Sequence, residues 1–360
     1  MIVDLPDTTT SAVSRRIVTL RADVGSMALS RVLTLVVIAT ESEAEGAIAT
    51  AMAASRQHPS RIIVVVVGSR RGTPRLDAQL RVGGDAGASE VVVLQLAGPL
   101  ADHGRSVVTP LLLTDSPIVA WWPGQAPNDP SGDPIGAMAQ RRVTDAVASR
   151  GAPKSVLARL AAAYADGDTD LAWSRVTLWR GVLAAALDQA PFEPVTAASV
   201  VAAPDSPSGD LLAGWLAVRL RCPVTLTRSP NRTGIISVRL ERASGPIDLV
   251  RPVDGNTAVL TQANGPERAI ALPHRSDAEC LSDELRRLDP DEVYEDALRR
   301  GIPTLRTSRR TAAEAERAGA TPSVAAAKRA TARIARQARL NASGAMIEAA
   351  SPAAAPKASR

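Results

Sequence analysis

Two continuous apolar runs, Leu33 to Ala39 and Arg61 to Gly68, flank a segment in which Ala44, Ile48, Ala51 and Met52 recur at helical spacing. Strands apolar on both faces, joined by a helix, imply a parallel pair buried within a sheet. The run Ser42-Glu43-Ala44-Glu45 reads as a capping box opening that helix. Upstream, Asp7-Thr8-Thr9-Thr10 supplies N-cap candidates for a helix to about Arg21, with Val13, Ile17 and Leu20 on one face. Leu76 to Val82 alternates strictly and Glu90 to Leu96 follows as another strand. A short helix from about Pro99 and a strand over Ile118 to Trp122 complete a second unit.

Helical periodicity dominates next, over Lys154 to Ala165 and from about Asp170 to Gln189. The second of these is apolar on nearly every face, through Trp173, Val176, Leu178, Trp179, Val182, Leu183 and Leu187. Such a helix is normally buried between other elements, here between two domains. The pattern restarts with a strand over Val195 to Ala203, a helix over Asp210 to Leu220 and a strand over Pro223 to Thr227. Four alternating segments, Ile235 to Leu240, Ile247 to Arg251, Ala258 to Gln262 and Ala269 to Leu272, are separated by Gly, Asn and Pro and predict an antiparallel meander. Charged helices over Asp277 to Leu288 and Asp291 to Arg299 close the body. The expected fold is α/β: two domains, each a mixed sheet with strand-helix-strand units, joined by buried helices.

Composition sharpens this picture at one end. Of 360 residues 45% are apolar but only 2% aromatic, so Val, Leu, Ile and Ala must fill the interior. The net charge of +5 is uneven, because residues 301 to 360 hold 11 Arg or Lys against 3 acidic residues and leave a body of −3. Residues 311 to 360 contain 20 alanines and no aromatic residue. We therefore expect residues 1–150 to form an N-terminal α/β domain and 151–303 a helical connector with a C-terminal α/β domain. The basic low-complexity tail, 304–360, is expected to be disordered, with transient helix over Val324 to Leu340. No apolar run reaches the roughly 18 to 20 residues that cross a bilayer, and the first residues lack a secretion signal, so the cytoplasm is the expected location.

Candidate chemistry is sparse. Three histidines, His58, His103 and His274, lie in separate segments, and the two cysteines, Cys222 and Cys280, are too far apart in sequence to suggest a metal pair, which predicts no metal site and two reduced thiols. No nucleophile elbow, phosphate loop or dinucleotide fingerprint occurs, and none of Lys154, Lys328 and Lys357 lies in such a loop. Gly83-Gly84-Asp85-Ala86-Gly87 could cradle a phosphate beside Arg81, although glycines between two strands more often shape a turn. Asp102 and His103 could pair as acid and base, but an Asp at a helix start also compensates the dipole. Trp121-Trp122-Pro123-Gly124 ends a strand, so its tryptophans face opposite ways; one is expected in the core and the other near the surface, where Trp often anchors interfaces. The tail lacks aromatic residues for base stacking, which argues against a specific nucleic-acid reader.

Several stretches taken together resemble the OpcA family. They are Met1-Ile-Val-Asp-Leu-Pro-Asp-Thr-Thr-Thr, Leu76-Asp-Ala-Gln-Leu-Arg-Val-Gly-Gly-Asp-Ala-Gly-Ala-Ser-Glu, Gly98-Pro-Leu-Ala-Asp-His-Gly, Pro117-Ile-Val-Ala-Trp-Trp-Pro-Gly, Asp133-Pro-Ile-Gly-Ala and Trp173-Ser-Arg-Val-Thr-Leu-Trp-Arg-Gly. The similarity runs over about residues 1 to 303. It implies a non-catalytic protein that binds glucose-6-phosphate dehydrogenase in a hetero-oligomer, promotes its active assembly or substrate affinity, and supports NADPH supply by the oxidative pentose phosphate pathway. No cofactor and no catalytic residue is expected; Arg81, Asp85, Trp121 and Trp122 are the candidate contacts with the partner. The alternative from the architecture alone is an enzyme or sensor for a sugar phosphate or nucleotide, because such folds bind ligands at the carboxyl ends of parallel strands.

Overall fold

The structure is a computed structural model describing residues 1–23, 32–82, 90–230, 232–252, 255–263 and 265–350. In the first part of the chain the order is β1 (Ile2–Leu5), α1 (Thr10–Asp23), β2 (Leu33–Ala39), α2 (Glu41–Ala54), β3 (Ser60–Val67), β4 (Arg75–Val82), β5 (Glu90–Ala97), α3 (Gly104–Val108), β6 (Ile118–Trp121) and β7 (Arg141–Thr144). These are followed by α4 (Pro153–Ala162), β8 (Asp168–Asp170), α5 (Leu171–Ser174) and α6 (Thr177–Leu187). The first sheet runs β1-β4-β5-β3-β2-β6-β7-β8. From β5 to β8 its neighbours are parallel, while β4 and β1 add antiparallel edge strands.

Alternation in the parallel strands sends side chains to two cores, because both faces are covered. Val36, Ile63, Val65, Val92 and Leu94 pack on one face with α1 and α3. Leu35, Val37, Ile62, Val64 and Val91 pack on the other with Ala47, Ile48 and Ala51 of α2. The cap of α2 lies two residues earlier than its sequence suggests: Thr40 is the N-cap, and its backbone N–H donates to Glu43 Oε2 at 2.9 Å. The predicted all-round apolar helix is two helices broken at Arg175, and α6 buries only Trp179, Leu183 and Ala186. The break turns Arg175 toward carboxylates of other elements, as described below.

In the rest of the chain β9 (Ala197–Ala202), α7 (Pro207–Leu220), β10 (Val224–Arg228), β11 (Ile235–Glu241), β12 (Ile247–Val250), β13 (Thr257–Gln262) and β14 (Arg268–Ala271) precede α8 (Asp277–Arg286) and α9 (Glu292–Glu295). A π-helical stretch, Asp296–Gly301, continues α9, and β15 (Arg306–Thr307), α10 (Ala312–Arg317) and α11 (Val324–Ala350) complete the order. The second sheet runs β14-β13-β12-β11-β9-β10-β15, parallel across β9, β10 and β15 and antiparallel through the predicted meander. Its inner face, with Val200, Leu226, Val238, Leu240, Leu249 and Leu260, joins Trp173, Trp179, Leu212, Leu216 and Tyr294 in one core. Against α7 the π-helical stretch approaches backbone to backbone, since a Cβ on Gly301 would overlap the Gly214 carbonyl.

The two halves are interlocked. Strand β8 comes after α4 yet pairs with β7 in the first sheet. Helix α8 comes after the meander yet buries Cys280, Leu281 and Leu285 against α2 and the first sheet. The change of composition near Thr304 also falls before the end of the packed structure. Strand β15 extends the second sheet beside β10, and Ala327 and Ala330 of α11 pack on Val250 and Val259. Alanine-rich sequence has high helix propensity, and this helix finds an apolar strip to lie on.

Candidate functional site

The largest concentration of buried charge lies where the halves interlock, along β7. Its flanking residue Asp145 accepts two bonds of 2.8 Å from the Arg175 guanidinium, which also bonds Asp277 of α8 at 2.6 Å. Arg141 binds Glu284 of α8 and donates to the Asp289 carbonyl at 2.8 Å. Ser174 donates its hydroxyl to the same Glu284 carboxylate. Arg142 pairs with Asp168 of β8, whose carboxyl is raised above its ordinary range by burial. Asp170 is fully enclosed and accepts from Thr144 Oγ1 at 2.6 Å and from the backbone N–H groups of Ala146 and Ala172 at 2.9 and 2.8 Å. Burial first, and then the charge of Asp145, push Asp170 up to about 6.

Beside this network runs an aromatic stack in a chain otherwise poor in rings. Tyr164 and Tyr294 have centroids 6.3 Å apart, Tyr294 and Trp173 5.9 Å, and the Arg180 guanidinium lies 3.7 Å over Trp173. The Trp173 indole N–H donates to Asp291 Oδ2 at 2.8 Å, while Asp291 Oδ1 caps α9. Desolvation lowers the Arg180 pKa, and that of Arg251, which lies over Trp179. The stretch Trp173 to Arg180 is therefore a joint: it contributes an aromatic ring, a hydroxyl and a cation to contacts with α8, α9 and β7. Charge-bearing residues in β7 and β8 hid both strands from a hydropathy reading, and only their spacing beside Trp173 could have hinted at this role.

The sequence-chosen residues do not converge. Trp121 and Trp122 do face opposite ways, but α2 and α8 cover one face of the sheet and the loop around Ile135 covers the other. Both are consequently buried, at 2% and 3% exposure, and neither is at the surface. Arg81 lines a cavity of about 350 Å³ with Asp4, Glu41, Glu45, Asp77 and Gln95. Its guanidinium bonds Glu45 at 2.7 Å and holds that carboxyl below its usual range. Asp85, with the whole Gly83 to Gly87 loop, lies outside the described residues. Asp102 is paired with Arg70 at 2.6 Å, and His103 precedes α3 as its N-cap.

In folds of this kind the crevice at which ligands bind is where strand order reverses. Here that is between β2 and β6, where the Glu43 carboxylate lies so close to Gly124 that a Cβ there would collide with it. The amino end of α2, which could otherwise hold an anion, is capped by the protein's own Glu43. Among the described residues no group of three or more His, Cys, Asp or Glu side chains is placed to hold a metal ion. Cys222 is half-buried and Cys280 buried, both as free thiols. Among those residues, too, no helix is long and apolar enough to cross a membrane.

Fold and site thus define a two-sheet α/β protein whose buried charges are spent on holding its halves together. The profile described as the glucose-6-phosphate dehydrogenase subunit N-terminal domain matches residues 51–162, and that of the same subunit's C-terminal domain matches residues 166–298. The chain belongs to the OpcA family. No curated protein matches it. Among solved structures it is similar at 10% identity to one titled trehalose-6-phosphate from E. coli bound with UDP-2-fluoro glucose, and to one titled OtsA apo structure. In both cases 55% of this chain and 65% of that chain are covered, so the chain spans less than two thirds of either, and TM-scores of 0.24 and 0.23 carry no argument.

Proposed function

We propose that the chain is a non-catalytic regulatory subunit that binds glucose-6-phosphate dehydrogenase and favours its active assembly or its affinity for substrate. The observation that carries this reading is the pair of consecutive subunit-domain profiles, which together account for residues 51–162 and 166–298. The site agrees with it. The first-sheet cavity has four carboxylates against the single guanidinium of Arg81, a lining that repels phosphate esters, and at the switch crevice the Glu43 carboxylate lies against Gly124. A protein with this function works by population shift, binding one assembly state of the dehydrogenase better than another. A coupling of about 1.4 kcal/mol suffices for a tenfold change in substrate affinity. Arg81, which lines the cavity, is the contact candidate in this reading, and Asp85 is its companion.

The test mixes the purified chain with its cognate dehydrogenase. Co-elution on gel filtration together with a changed Michaelis constant for glucose 6-phosphate is the expected result. Separate elution with unchanged kinetics removes the proposal.

A further inference from the structure

The second sheet has its own turning point at β9, with β10 on one side, reached through α7, and β11 on the other. In α/β sheets, ligands bind beyond the carboxyl ends of strands at such a point. Four chain segments meet there. The Ala203 N–H, just past β9, donates to the Gly234 carbonyl at 2.8 Å, and Gly234 leads into β11. Arg251 follows β12 and donates its backbone N–H to the Ile236 carbonyl at 2.9 Å, while Leu272 to His274 follow β14.

At this end of the sheet a cation is buried without a countercharge. Arg251 is 7% exposed, and among the described residues no carboxylate faces it. The other buried arginines differ: Arg61 pairs with Glu90, Arg141 with Glu284 and Arg142 with Asp168, and Arg242 acts by its charge on Glu193. The Arg251 guanidinium donates instead to the carbonyls of Ile235 and Leu272, at 3.3 and 3.4 Å, longer than well-formed bonds of this kind. It lies 5.3 Å over the Trp179 ring. Burial lowers its pKa to about 10, which still leaves it charged at neutral pH. An isolated charge is costly to enclose, and such groups concentrate at binding sites. Gly234 keeps the approach open. At its φ of +62°, a Cβ would lie 3.5 Å from Arg251 Nη2 and 3.9 Å from His274 Cε1, so its bare face looks onto both groups. His274 is exposed, and burial of part of its ring, then the charge of Arg251, lower its pKa, leaving a neutral imidazole with one N–H to donate.

We propose that Arg251, with His274 and Gly234 at its mouth, is a binding site for the phosphate or carboxylate group of a small molecule. The planar guanidinium offers paired donors to an oxyanion, Trp179 backs it, and the glycine leaves space for the anion beside it. The anion supplies the countercharge that the described residues do not. The site belongs to this chain alone and does not rest on the function proposed above.

The experiment titrates the full chain by calorimetry with inorganic phosphate and, separately, with succinate, at constant ionic strength. One saturable site per chain is expected for at least one of them; phosphate alone points to a phosphate ester, succinate alone to a carboxylate, and both to a general oxyanion site. His274→Ala, at an exposed position, is expected to weaken binding several-fold, and Arg251→Met to weaken it about tenfold or more. Without anion, Arg251→Met is expected to melt no lower than the native chain, because methionine keeps an apolar contact with Trp179 and removes an uncompensated charge. Saturation by neither anion overturns the proposal, as does binding that is unchanged in both variants. If Arg251→Met melts far below the native chain, His274→Ala decides: weakened binding upholds the site, and unchanged binding overturns it, the arginine then serving only to tie its two carbonyls.

Discussion

Arg175 reaches Asp277 at 2.6 Å across a separation of 102 residues, and its other hydrogen bonds go to Asp145. The two carboxylates are not equivalent, since the side chain of Asp145 is 5% exposed and that of Asp277 54%. Arg175→Met strands the buried Asp145 next to Asp170, and removing one member of a buried pair costs about 3 kcal/mol. Asp277→Asn loosens only a solvent-screened contact and is expected to cost about 1 kcal/mol or less. Urea unfolding of both variants checks the order; equal losses would show that the network is not anchored on Asp145.

The enclosure of Asp170 gives stability a pH dependence of definite sign. Its folded pKa, pushed up to about 6, exceeds the roughly 3.9 of an unfolded aspartate, so the folded state holds more protons between these values. The stability this group contributes is therefore fully present below about pH 4 and is lost as pH rises through about 6. Exposed carboxylates held low, such as Glu45 beside Arg81, act in the opposite sense, so the informative quantity is the difference between the native chain and Asp170→Asn. That variant is expected to gain relative stability between about pH 4 and pH 7. A difference that stays flat across this range contradicts the assignment.

How much of this was legible depended on how each element buries itself. Strands β2 and β3 bury nearly every side chain and read directly as apolar runs. The meander read through alternation, because its outer face is partly polar. Strands β7 and β8 did not, since Arg141, Arg142, Asp168 and Asp170 are buried by pairing with one another and with α8, and local hydropathy does not record pairing. The same long-range return of α8 put Trp121 inside: alternation gave the direction of its side chain, but what lies on that side comes from some 160 residues further along. At the start of the tail the alanines show helix propensity but not what they pack on, because Val250 and Val259, which Ala327 and Ala330 meet, lie some seventy residues earlier.

The two thiols are expected to differ in reactivity. Burial pushes Cys280 up to about 12, and it lies fully enclosed between α8 and α2. Cys222, half-buried after α7, is raised less. Because the thiolate is the reactive form, native protein at pH 8 should consume one equivalent of a disulfide reagent slowly, at Cys222, and a second only after denaturation. Rapid modification of Cys280 in the folded chain would show that α8 opens readily from the first sheet.

The crossing of α7 with the π-helical stretch Asp296–Gly301 offers a test of packing in the second half. A Cβ on Gly214 would lie 2.6 Å from the Ala297 carbonyl, and one on Gly301 would overlap the backbone of Gly214 itself. Neither obstacle is a flexible side chain, so relief requires the helices to part. Gly214→Ala and Gly301→Ala are each expected to cost about 1–3 kcal/mol, the range for overpacking a well-filled interior. Gly181, in α6 with open space around its α-carbon, is the internal control. There alanine removes backbone freedom from the unfolded chain without a clash and should stabilise by about 0.5–1 kcal/mol. Opposite signs at chemically identical substitutions separate close packing from helix propensity; a stabilising Gly301→Ala would mean that the backbones of α7 and of the π-helical stretch do not meet as described.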